Sequence, residues 1–170
     1  YIEHGAKLYW YQHGGFSGEF EVEGMFSHNR LSDEHRTWGW KINSNDVPWK
    51  AYRCEKFKED YIKSKITGKY DCLICYGIIN EGFVAKTKLL LNDIDSSKYK
   101  TFLARPRPTA KTRSFKKKLD FITDSRVDKD NGLAKMAKVV KKCKLVIQMS
   151  VPSTNFLECI YIDHPVIGYL

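Results

Sequence analysis

Three groups of residues have the types and spacing for chemistry, and the first is cationic. Between Arg105 and Lys144 stand fourteen Lys and Arg against four Asp. The rest of the 170-residue chain carries fifteen basic and sixteen acidic residues, so this stretch holds the whole excess of +9. Charge concentrated in this way attracts phosphate-bearing polyanions, because each neutralised phosphate releases condensed counterions. Arg105-Pro106-Arg107-Pro108 cannot continue a helix or a central strand: each proline fixes its φ, lacks a donor and drives the preceding arginine toward extended geometry. Residues 105–118 therefore read as an extended basic loop inserted in the domain. Its phosphate contacts would be Arg105, Arg107, Lys111, Arg113, Lys116, Lys117 and Lys118, with Phe115 as its anchor to the core. The arginines suit specific contacts best, since a planar fork engages a phosphate or a guanine edge through two bonds.

The second group is metal-ligating. Cys72-Leu73-Ile74-Cys75 has the two-residue gap of half a zinc site, and Cys159 with His164 is a candidate for the other half. Zinc is the one cofactor this pattern suggests. Against it, Leu73 and Ile74 are not turn formers, and on a regular strand both pairs point to opposite faces, which leaves buried free thiols as the alternative.

The third group is Ser27-His28 with Asp33-Glu34-His35, which has the groups for acid–base work. Asn29, Arg30 and Ser32 make it an exposed loop with nothing to fix its geometry, so no catalytic residue is assigned. The segment Ala85-Lys86-Thr87-Lys88 lacks the carboxylate two residues before either lysine that a common nuclease pattern needs. No glycine-rich phosphate loop, GxSxG elbow or HExxH helix is present either. A binding module is favoured over an enzyme.

The run Trp49-Lys50-Ala51-Tyr52-Arg53-Cys54, with later cysteines and His164-Pro165, bears a likeness to zinc-binding DNA modules of the FLYWCH and WRKY type. Those modules end in a His-x-His pair, whereas Ile162 stands at the first of these positions here and the spacings are much longer, so no membership is assigned.

The elements that must position these groups follow from periodicity. Apolar residues alternate with Glu19, Glu21 and Glu23 from Phe16 to Phe26, which predicts a strand, and Leu8–Tyr11 pairs with it through His13-Gly14-Gly15 as a hairpin. Trp38, Trp40 and Ile42 predict a further strand, Asn43–Asp46 a break, and Trp49–Cys54 the start of another strand, with the tryptophans in the core. Residues 55–66 have helical spacing. Tyr70–Ile79 and Phe83–Leu91 read as two strands joined by Asn80-Glu81-Gly82, and Leu145–Val151 with Phe156–Ile162 repeats that arrangement. Residues 131–144 read as a helix capped by Asp130 or Asn131. Leu133, Met136, Val139 and Val140 would lie on the core face, with Lys135, Lys138, Lys141 and Lys142 turned outward. The expected fold is α+β, a mainly antiparallel sheet with about two helices and the long basic loop.

The length and the 42% hydrophobic content suit one domain over residues 1–170. The start at Tyr1 and the stop at Leu170 after an apolar stretch are those of a piece of a longer chain. The longest apolar run, Cys72–Ile79, is too short to cross a membrane, and the N-terminus lacks a secretory pattern. Five cysteines without regular spacing point to reduced thiols and so to a cytoplasmic or nuclear setting. The leading expectation is a domain that binds nucleic acid, DNA ahead of RNA. The alternative is an assembly module, matrix-like or part of a ribonucleoprotein, that binds acidic protein or anionic lipid. A nucleic-acid-processing enzyme stands third.

Overall fold

The structure, a computed structural model, describes residues 5–12, 31–77, 81–106, 119–149 and 153–169. Its strands are parallel throughout, not mainly antiparallel. Strand β1 (Tyr9–Tyr11), β2 (Glu34–Thr37) and β3 (Asp46–Pro48) form a three-stranded parallel sheet in that order. Helix α1 (Tyr52–Lys63) leads to β4 (Tyr70–Tyr76), α2 (Glu81–Asp93), β5 (Phe102–Pro106), β6 (Val127–Lys129), α3 (Met136–Val140), β7 (Cys143–Gln148), α4 (Thr154–Tyr161) and β8 (Val166–Gly168). The second sheet has five strands in the order β6-β5-β4-β7-β8, all neighbours parallel.

The physical reason lies in β4. Cys72 to Tyr76 is buried without alternation, and so is all of β5. A strand apolar on both sides must be covered on both faces, which parallel strands with helical crossovers achieve and a half-solvated antiparallel sheet does not. Residues 83–91, expected as a strand, are therefore the crossover helix α2. Phe83, Leu90 and Leu91 cover one face together with Leu119, Ile122 and Met149. Residues 156–162, also expected as a strand, lie largely in α4. That helix starts where the Ser153 hydroxyl accepts the Phe156 N–H at 3.2 Å. The opposite face is covered by Phe57 of α1, Ala137, Val139 and Val140 of α3 and Cys159 of α4. These two of the three predicted hairpins are βα units, with Glu81 and Gly82 in the first turn of α2 and Thr154 and Asn155 in that of α4.

The expected helix over 131–144 is shortened at both ends. Gly132 sits at φ +72, a left-handed turn, and the residues from Cys143 onward are needed as β7. In the small sheet β1 pairs with β2, and Tyr52 onward is helix rather than strand. The predicted strand 16–26 lies outside the described residues. Among the described residues no helix is long and apolar enough to cross a membrane.

The five-stranded order carries positional information. The chain leaves β4 to one side through β5 and β6, then returns across to β7 and β8 on the other, so the winding reverses between β4 and β7. In open parallel sheets ligands bind outside the carboxyl ends of the strands at such a reversal.

Candidate nucleic-acid interface

The two ends of the sheet hold different parts of the basic stretch. At the amino end, Asp71 at the start of β4 accepts from the Lys100 N–H (2.8 Å), the Thr101 N–H (3.0 Å) and hydroxyl (3.1 Å), and Lys144 Nζ (2.8 Å). Lys144 first, then these backbone donors, hold the Asp71 carboxyl well below the usual carboxylate range. Lys141 Nζ donates to the Tyr61 carbonyl at 3.0 Å, which closes the C-terminus of α1 with a cation where the helix dipole favours one. Lys135 meets Asp60 at 3.0 Å. Lys138 is exposed on α3, and neither it nor the half-buried Lys142 has a side-chain partner among the described residues.

At the carboxyl end, Arg105 is 6% exposed. Its guanidinium pairs with Asp130 and donates to the Ala134 carbonyl at 2.8 Å, so the side chain ties β5 to the segment that enters α3. It is an internal brace rather than a surface contact. Arg107, Lys111, Arg113, Lys116, Lys117 and Lys118, with Phe115, lie outside the described residues. They follow directly from the carboxyl end of β5, one strand from the reversal.

A cleft of about 750 Å³ opens between β6 and the segment before α3, lined among others by Tyr70, Leu103, Asp128, Asp130 and Lys142. Its two carboxylates do not suit a phosphate, and Tyr70 donates its hydroxyl to Asp128 at 2.6 Å.

The candidate metal ligands are separated. Cys72 packs in the cluster under α2, whereas Cys75 and Cys159 share the cluster on the other face of the sheet. Burial pushes the Cys72 thiol up to about 11, the Cys159 thiol up to about 12 and the Cys75 thiol well above its ordinary value. Neutral thiols in such surroundings pack as small apolar groups. His164 follows α4 in a helix-ending turn. Its N–H bonds the Cys159 carbonyl and the Asp163 N–H bonds the Ile160 carbonyl, with Asp163 at φ 55. The His164 ring stands edge-on to Tyr61 with Nδ1 3.4 Å from the hydroxyl, and burial lowers its pKa. Among the described residues no three His, Cys, Asp or Glu are grouped to hold a metal ion.

The small sheet holds what the sequence reading placed in the core. Under it, His35 and Asp46 are both buried, with Nδ1 to Oδ1 at 2.8 Å. Burial pulls the Asp46 carboxyl up, but the Asn43 and Ile42 N–H groups and His35 more than offset this and lower it. An ionised carboxylate only accepts, so Nδ1 carries the proton, and the buried Nε2 has no hydrogen-bond partner among the described residues. Gln12 Oε1 accepts from the Trp38 N–H at 2.7 Å and from Trp40 Nε1 at 2.9 Å. Polar bonds therefore hold this unit; Trp38 and Trp40 are half-buried, the latter edge-on to His35, while other rings are left outside. Tyr11 is 52% exposed, Trp49 49% and Tyr52 77%. The Arg36 guanidinium lies 4.5 Å from the Trp49 ring centre, 5.0 Å from Tyr9 and 5.2 Å from Tyr11. It is fixed by Glu34 at 3.2 Å and by the Tyr11 hydroxyl at 2.8 Å. Beside this cluster opens a cleft of about 480 Å³ lined among others by Tyr11, Arg36, Trp49, Lys50, Tyr52 and Arg53. The contiguous run Tyr9-Trp10-Tyr11 was the available signal, because three successive residues of a strand cannot all face one side. No protein-family model, no curated protein and no solved structure matches the chain.

Proposed function

We propose that the chain is a nucleic-acid-binding domain that grips the phosphate backbone with the cations of the segment following β5. One contrast supports this reading. Six of the eight described Lys and Arg between Arg105 and Lys144 have a carboxylate or carbonyl partner, whereas residues 107–118 carry six cations and no acid. Cations without local acids are the ones that release counterions from a polyanion. The segment also leaves the sheet at its carboxyl side, where parallel sheets of this winding place their ligands. Lys138, exposed on α3, is the member of the 131–144 set best suited to add a contact. DNA stands ahead of RNA.

The test is fluorescence anisotropy of the chain with labelled duplex DNA, single-stranded DNA and RNA over a salt series. If all six cations meet phosphates on duplex DNA, log K falls against log salt with a slope of about −5. Replacing Lys116, Lys117 and Lys118 together with alanine lowers that slope by about 2 to 3 without unfolding the protein. No binding to any of the three at low salt overturns the reading. Binding to anionic vesicles in its place supports the assembly alternative, and cleavage on adding magnesium or manganese supports the enzyme.

A further inference from the structure

We infer that the cleft between the small sheet and the start of α1 is a stacking site for an unpaired base, so that the preferred ligand is single-stranded. The inference rests on the nucleic-acid reading and specifies its ligand. Three observations carry it.

The first is the exposure of the rings. Trp49, Tyr11 and Tyr52 line one cleft and stay about half or more exposed, although aromatic rings of this size ordinarily dominate cores. The second is their preorganisation. Arg36 lies against Trp49, Tyr9 and Tyr11, and its guanidinium is pinned by Glu34 and the Tyr11 hydroxyl, so these rings are held in place before any ligand arrives. The third is the charge around them. Lys50 is exposed with no partner among the described residues, and Arg53 is half exposed although it also meets Glu158 at 2.8 Å. Rings interleaved with cations match a strand that presents flat bases and phosphates in turn. A volume near 480 Å³ suits one base with its sugar, and a groove-reading helix would not need it.

The position of the cleft agrees with a continuous path. α1 and α4 run side by side in the same sense: Arg53 meets Glu158, Glu55 accepts from Tyr161, and Tyr61 meets His164. α4 begins at the carboxyl end of β7, so the start of α1, and the cleft with it, lies toward the carboxyl end of the five-stranded sheet. The basic segment leaves β5 from that same end.

The experiment uses the whole chain and labelled oligonucleotides of one length: single-stranded DNA, single-stranded RNA, duplex DNA, and a strand of abasic sites that keeps every phosphate. The base-bearing single strands bind at least about fivefold tighter than the abasic strand, the effect of one stacked base. Tyr52→Ala and Trp49→Ala each reduce that ratio and leave the salt slope unchanged, while Trp49→Phe retains most of it. Tyr52 is 77% exposed, so its alanine variant carries the test should the Trp49 variant not fold. Equal affinity for abasic and base-bearing strands, or a ratio unmoved by Tyr52→Ala, overturns the stacking site while the phosphate reading stands. Tighter binding of duplex than of single strand also overturns it. No binding to any oligonucleotide overturns both.

Discussion

At the amino end of the five-stranded sheet, charge is internal. Lys144 and the starts of β4 and β5 converge on Asp71, and Lys141 closes α1. At the carboxyl end Arg105 is likewise paired, with Asp130, but residues 107–118 of the sequence carry no acid. β4, β5 and β7 lead there into segments beyond the described residues, one of them the six-cation run, and the aromatic cleft lies toward the same side. On the proposed reading the same residue types serve two purposes. Where a cation has a carboxylate within reach, its energy is used inside the molecule and little attraction remains for a partner. Where it has none, the field extends into solvent. The comparison implies that substitutions at the amino end should be read in stability, and those around the carboxyl end in binding.

Arg105 is where this division should break first and most strongly. It sits at the carboxyl end, yet its guanidinium is buried against Asp130, whose side chain is 10% exposed. Arg105→Ala strands that carboxylate and is expected to cost about 3–5 kcal/mol in urea unfolding, while Arg105→Ala with Asp130→Asn recovers part of the loss. An Arg105→Ala protein of undiminished stability and weakened nucleic-acid binding would return Arg105 to the interface.

Asp71 sharpens the amino-end half of the comparison. Asp71→Ala removes one charge-assisted bond to Lys144 and three to the strand start at Lys100 and Thr101, with an expected loss of about 3 kcal/mol. The folded-state pKa is depressed, so this contribution is fully present above the unfolded value near 3.9 and is lost as pH falls through the lower folded value. The gap between wild type and variant should therefore be constant from about pH 5 upward and narrow below about pH 4 in thermal melts. A gap that stays constant into acid would mean that the carboxylate charge is not what stitches the strands.

How much of this was legible in the sequence varied by element. The helical spacing of residues 55–66 found α1 to within three residues, because a helix with one apolar stripe has only one reading. Residues 83–91 and 156–162 were misassigned because each is a short apolar run beside a buried strand. Strand or helix there depends on whether the sheet needs a crossover, which is information from outside the segment. For the five-stranded sheet the switch from mainly antiparallel to parallel follows from these two misassignments. The charge asymmetry was visible, but the division between paired and unpaired cations was not. Arg105 finds Asp130 twenty-five residues away and Lys135 finds Asp60 seventy-five away. The aromatic cleft was missed because Tyr11, Arg36, Trp49 and Tyr52 come from separate elements, and large rings were assigned to the core by their type alone.

The smallest expected effect tests the carboxyl-end half. If the rings of the cleft serve a ligand, they contribute little to the fold. Tyr52 is 77% exposed on the first turn of α1, away from that helix's buried Cys54 and Phe57, and none of its side-chain atoms hydrogen-bonds within the described structure. Tyr52→Ala removes a ring that is already mostly in water and places a better helix former in the first turn, so the two small terms oppose one another. The change in unfolding free energy should stay within about 0.5 kcal/mol, measured by urea denaturation against the wild type. Lys138→Ala on α3, exposed and likewise without a partner, should fall in the same range. A loss above about 1.5 kcal/mol at Tyr52 would mean that the ring packs against the fold rather than waiting for a base. The difference between the two ends of the sheet would then be one of charge alone.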